Sequence, residues 1–108
     1  MMKLQIKTID YIEAIKQLRK LAPKGKGRTK YLNGVMSLSF SQNEMTLTVE
    51  DATQMCDAKG IWVGTVLLSF EFAQRFALVP PNIEYINVRF YDGVIHMENM
   101  GIVARLEI

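Results

Sequence analysis

Cysteine, histidine and tryptophan each occur once in this chain, and proline three times. A single cysteine, Cys56, excludes an internal disulfide and suits a reducing compartment. One histidine and one cysteine fall short of the ligand set that zinc sites on a single chain use. No apolar run approaches the ~20 residues needed to cross a bilayer. Neither a hydrophobic signal core nor a cleavage site opens the chain, so a cytoplasmic location with no membrane partner is expected. Disorder is excluded by the 49% of residues that are apolar, and 108 residues suffice for one modest core. The expectation is a single domain, 1–108.

Catalytic patterns are missing as well. His96 has no serine or cysteine at a motif spacing, and its alternation with Ile95 and Met97 places it on the outward face of a strand. Cys56 has no C-x-x-C partner and no neighbouring cation before Lys59, which suits a small buried apolar role. Glu50-Asp51 with Asp57 resembles a metal cluster in composition, but neighbours on a strand point to opposite faces. The K-G-K-G-R run at 24–28 lacks G-x-x-x-x-G-K-[ST] and follows a helix, not a strand, so it is not a nucleotide loop. Trp62 reads as core or as a partner contact. The expectation is a binding module rather than an enzyme, with no cofactor and no metal.

Charge is what the chain has, unevenly placed. Residues 1–30 hold nine Lys/Arg against two acids, whereas residues 31–108 hold four against nine. From Lys16 to Lys30 there are seven cations and no acid: Lys16, Arg19, Lys20, Lys24, Lys26, Arg28 and Lys30. This stretch reads either as a solvated helix face entering a loop or as a patch for phosphates or an acidic protein surface.

The chain also repeats itself. Thr8-Ile9-Asp10-Tyr11 aligns with Ser69-Phe70-Glu71-Phe72 and Ile15 with Phe76, at an offset of 61. Thr8 and Ser69 fit helix N-caps, and Asp10 and Glu71 sit where a carboxylate meets the helix dipole. Beyond the helices the offset is 50: Met36, Leu38 and Phe40 match Ile86, Val88 and Phe90, and Met45 and Leu47 match Ile95 and Met97. Helices are expected over 10–22, ended by Pro23, and over 70–79, ended by Pro80-Pro81. On the second, Phe72, Phe76 and Val79 form the buried face, and Arg75 is the only cation. Lys24, Lys26 and Arg28 fall on a glycine-containing loop. Strands are expected over 2–8, 36–40, 45–49, more weakly over 53–59, then from Val63, over 86–90, 95–97 and 102–108, with a hairpin turn at Asp92-Gly93. The result is two β-α-β-β-β halves, about 1–62 and 63–108.

This pattern resembles the DNA sliding-clamp fold, specifically one domain of the bacterial polymerase III beta-subunit type. The resemblance covers nearly the whole chain and rests on the order of elements and two phrases. These are KLQIKTIDYIEAIKQLRKL near the start and GTVLLSFEFAQRFALVPPNIEYINVRFYDGVIHMENMGIVARLEI to the end. It implies an α+β fold with two helices packed side by side on one face of antiparallel sheet. In rings of this family those helices line the central hole and present cations to duplex phosphates. Here the matching cations are Lys16, Arg19, Lys20, Lys24, Lys26 and Arg28. Family members carry three such domains per chain, with a peptide-binding cleft between domains, so no cleft residue is carried over. Two functions follow as expectations. One is sequence-independent binding of the duplex DNA backbone in a replication or repair accessory role. The other is a protein-interaction module, an inhibitor or immunity-type partner, that docks through the basic stretch or an Ala73/Ala77/Leu78 contact. A homo-oligomer is expected, since family domains join sheets edge to edge.

Overall fold

A computed structural model describes residues 1–78 and 82–107. The expected positions of Val79, of the Pro80-Pro81 stop and of Ile108 lie outside them. The first half runs β1 (Met2–Lys7), α1 (Thr8–Lys20), α2 (Arg28–Leu32), β2 (Val35–Ser41), β3 (Glu44–Val49), β4 (Ala52–Ile61). The second runs β5 (Thr65–Ser69), α3 (Phe70–Leu78), β6 (Tyr85–Tyr91), β7 (Val94–Met97), β8 (Met100–Val103), β9 (Arg105–Glu107). The fold is α+β, with a single antiparallel sheet in the order β8-β7-β6-β1-β4-β3-β2-β5-β9. Its edge strands β8 and β9 are consecutive in sequence, joined at Ala104, whose N–H donates to the Gly93 carbonyl at 2.9 Å. The sheet is therefore nearly closed upon itself. What the periodicity offered as one closing strand is split at Ala104, and its halves pair with β7 and β5.

Alternation places one face of this sheet in the core. Met36, Leu38, Met45 and Leu47 are fully buried, and so are Ile86, Val88, Ile95 and Met97 of the second half. Phe40 and Phe90 break the symmetry, since Phe90 is buried and Phe40 only partly. Two-residue turns set the register. Asp92 and Gly93 both have positive φ, 54° and 73°, as a type I′ hairpin requires. Gln42 and Asn43 do the same at 53° and 62°. Glu50 and Asp51 also form a turn, between β3 and β4, instead of lying on a strand.

The weakest strand in the sequence is the longest in the structure. β4 runs ten residues, pairing with β3 through Ala52–Asp57 and with β1 through Ala58–Ile61. It joins β3 to β1 within the first half, whereas the two halves meet where β1 pairs with β6 and β2 with β5. Gly60 marks the crossing: its φ is +149°, and a Cβ there would stand 2.1 Å from the Lys3 carbonyl oxygen. Gly60→Ala is expected to force β4 off β1 and to cost more than the ~1 kcal/mol typical of an ill-placed backbone change. A chemical-denaturation midpoint unchanged from the parent would show that this approach is dispensable.

The helices pack against the same core. Tyr11, Ala14, Ile15 and Leu18 form the buried stripe of α1, with Asp10 in its first turn and Arg19 and Lys20 in its last, each complementing the helix dipole. α1 begins at Thr8, two residues earlier than the periodicity suggests. Thr8 is not the N-cap: Lys7 holds that position, and the Thr8 Oγ1 is buried without a partner among the described residues. Its backbone N–H instead donates to Glu84 O at 2.9 Å, tying the helix start to the segment before β6. Ser69 does cap α3, its Oγ accepting from Phe72 N at 3.3 Å. α1 and α3 meet through Tyr11, whose hydroxyl donates to the Ala73 carbonyl at 2.8 Å. The Tyr11 ring stands edge-on to Phe76, centroids 5.8 Å apart and planes at 83°.

Candidate nucleic-acid interface

The cations singled out in the sequence fall on three local structures. Lys16 and Lys20 are exposed on α1, while Arg19 is half-buried beside them. Lys24 and Lys26 are exposed in the turns that follow, and Arg28 opens α2 with Lys30 in its last turn. The glycines around it predict a loop at Arg28; the short helix forms instead because residues further along the chain anchor it. Tyr31 is buried, its hydroxyl donating to the Leu18 carbonyl at 2.6 Å and its ring edge-on to Phe70 at 5.9 Å. Burial, and secondarily the charge of Glu50, push the Tyr31 hydroxyl above its usual range, so it is protonated and donates at neutral pH. From α3, the Gln74 amide donates to Leu32 O at 2.8 Å and to Phe70 O at 3.2 Å. Backbone turns close the glycine-rich stretch, with Arg28 N donating to Gly25 O at 3.2 Å and Tyr31 N to Gly27 O at 3.1 Å. The basic segment is pinned to the core at its far end.

Its charge is not neutralised locally. Among the described residues the ion pairs are Arg75–Glu71 and Arg105–Glu107, and none involves the 16–30 cations. Glu13 accepts from the Gln17 amide at 2.8 Å on the same helix. The Glu50-Asp51 turn shares a shallow groove with Leu21, Pro23 and Tyr31. α3 contrasts with α1, because its one cation, Arg75, is paired with Glu71 one turn away. Such an exposed pair contributes little to stability but cancels the charge α3 could offer an anion. Of the expected Ala73/Ala77/Leu78 contact, Ala73 is fully buried, which leaves the half-buried Ala77 and the exposed Leu78 at the surface.

The remaining chemical candidates resolve simply. Cys56 is half-buried; burial first, then Asp10, Asp57 and Glu44, push its thiol up to about 12. It is a protonated thiol at neutral pH and a poor nucleophile. Trp62 is buried against Phe90 with ring centroids 6.5 Å apart. His96 stacks on Tyr91, centroids 4.6 Å apart and planes at 13°.

A second group of cations has, as a group, no local sign in the sequence. Lys3 on β1, Lys59 on β4 and Arg89 on β6 all project from the sheet face opposite the core. They are scattered along the chain, and only the strand order brings them together. The usable signal was the polar half of each alternation, Lys3 and Lys7 in β1 and Tyr85, Asn87, Arg89 and Tyr91 in β6.

No protein-family model matches this chain, and no curated protein matches it either.

Proposed function

We propose that the protein is a clamp-like domain that holds the backbone of duplex DNA without sequence preference. The observation that carries this reading is the unpaired cationic face of α1, Lys16 and Lys20, continued through Lys24, Lys26 and Arg28. Support comes from each half opening on a strand and a long helix before its remaining strands, with α2 an added helix in the first half and β9 an added strand in the second, and from α1 and α3 meeting at Tyr11 and Phe76. Each feature is one that the sliding-clamp resemblance implies. The neutral Glu71–Arg75 pair makes the interface one-sided: α1 and the segment after it carry the contact, and α3 serves as its buttress.

Such an interface is electrostatic, because phosphate contacts release counterions and read no base. Each phosphate neutralised adds about 0.9 to the slope of log K against log salt, so four or five contacts give roughly −4. Affinity for a duplex of arbitrary sequence is then expected to fall several-hundredfold between ~50 and ~200 mM salt. Absence of duplex binding at ~50 mM salt would overturn this reading. It would leave the basic stretch as a dock for an acidic protein surface. Self-association belongs to the same proposal. β8 and β9 each pair on one side only in the sheet order, and an edge blunted only by Arg105 and Glu107 can take another strand. A native mass of one chain at high micromolar concentration would remove encirclement and leave a one-sided contact.

A further inference from the structure

We infer that the outer face of the β4-β1-β6-β7 sheet binds a single strand of nucleic acid, separately from the helix face. Apart from Lys7, which sits among Asp10, Glu44 and Asp57, the cations there are Lys3, Lys59 and Arg89. Lys3 is in register with Arg89, and Lys59 with Gln5 one step along β1. The three line a groove of about 520 Å³ between β4, β1 and β6. Lys3 and Lys59 are exposed and pair with no carboxylate among the described residues. Arg89 is held in place by Glu98, whose carbonyl accepts from its Nη2 at 3.4 Å, while its Nε is buried with no partner among the described residues. Glu98, which also lines the groove, has one carboxylate oxygen, Oε1, turned to Asn87, accepting from its backbone N–H at 2.7 Å and side-chain amide at 3.3 Å.

Aromatic rings flank these charges. Tyr85 and Tyr91 stand at the two ends of β6, 39% and 38% exposed, and six steps along the strand separate them by about 20 Å. Tyr91 is already stacked with His96, and His96 lies in register with Arg89. A base can extend that stack while its phosphates lie along Lys3, Lys59 and Arg89. Cations beside the exposed Tyr91–His96 stack on an antiparallel sheet suit unstacked bases, since every base offers a π-face and a duplex hides its own. Polarity of the groove also sets direction. Beyond Lys59 it runs into Asp57, Glu44 and Asp10 around Lys7, an acidic end that repels phosphate. The strand is therefore confined to the Lys3–Arg89 side.

Fluorescence anisotropy of a short labelled oligothymidylate tests this. Binding at ~50 mM salt is expected, with a slope of about −0.7 per phosphate; three contacts give roughly −2, a loss of about twentyfold by ~200 mM. Tyr91→Ala is expected to weaken binding between about five- and a hundredfold, with Tyr91→Phe restoring it. The pair Lys3→Glu and Lys59→Glu should remove most of the binding, each variant being checked for its fold by circular dichroism. Lys16→Glu with Lys20→Glu should retain it, so this inference and the duplex proposal fail separately. No binding at ~50 mM salt overturns the inference, as does loss through Lys16 and Lys20 instead. Equal affinity for a polyglutamate peptide, with Tyr91→Ala unchanged, overturns it in favour of an acidic protein segment.

Discussion

Changing Lys16 and Lys20 together to glutamate is expected to abolish duplex binding and leave the fold intact. Both side chains are exposed, and neither is in an ion pair among the described residues, so the native state loses only the small favourable placement of Lys20 in the last turn of α1. Surface substitutions of this kind usually stay within about 0.5 kcal/mol in stability. The electrostatic consequence is far larger. Two positive charges become two negative ones on adjacent turns of α1, reversing the field at the middle of the proposed contact. Arg75→Glu provides the control: Arg75 is already neutralised by Glu71, so its replacement should change affinity much less. Electrophoretic mobility shift and thermal denaturation on the same preparations separate the two effects. Retained affinity in the double variant would remove α1 from the interface.

Phe76→Ala is expected to destabilise the protein by about 3–5 kcal/mol, the range for truncating a buried aromatic ring. Phe76 is 3% exposed and is the residue on which the two long helices meet. Its loss leaves a cavity beside Tyr11, whose ring then has no edge partner and whose hydroxyl bond to Ala73 loses its packing. At ~4 °C per kcal/mol for a domain near this size, the melting transition should drop by roughly 12–20 °C. A loss below about 1 kcal/mol would show that α3 is not a structural support for α1. The basic face would then have to be positioned by Tyr31 and the sheet alone.

How much of this was legible in the chain depends on whether the signal was local. Alternation over β2, β3, β6 and β7 and the stripe Tyr11, Ile15, Leu18 on α1 reached the core as read, because a period of two or of 3.6 is imposed by backbone geometry itself. Asp92-Gly93 was equally readable, since few residue pairs accept positive φ twice in succession. The exposure of Lys16 and Lys20 followed from the same helical period.

Other features had no local sign. Residues 53–59 looked weak as a strand, yet β4 is the longest, because pairing with β3 at one end and β1 at the other satisfies a backbone whose side chains barely alternate. Arg28 looked like loop, yet α2 forms because Tyr31 reaches back to Leu18 and Gln74 reaches across from α3. The mislaid cap at Thr8 has the same origin, a hydrogen bond to Glu84 from a distant segment. Composition and periodicity thus determined an α+β chain with a basic beginning. Which cations stand together, on the helix face and on the outer sheet, was decided by tertiary structure. Strand order and helix anchoring depend on contacts between residues far apart in sequence, and no window along the chain contains both partners.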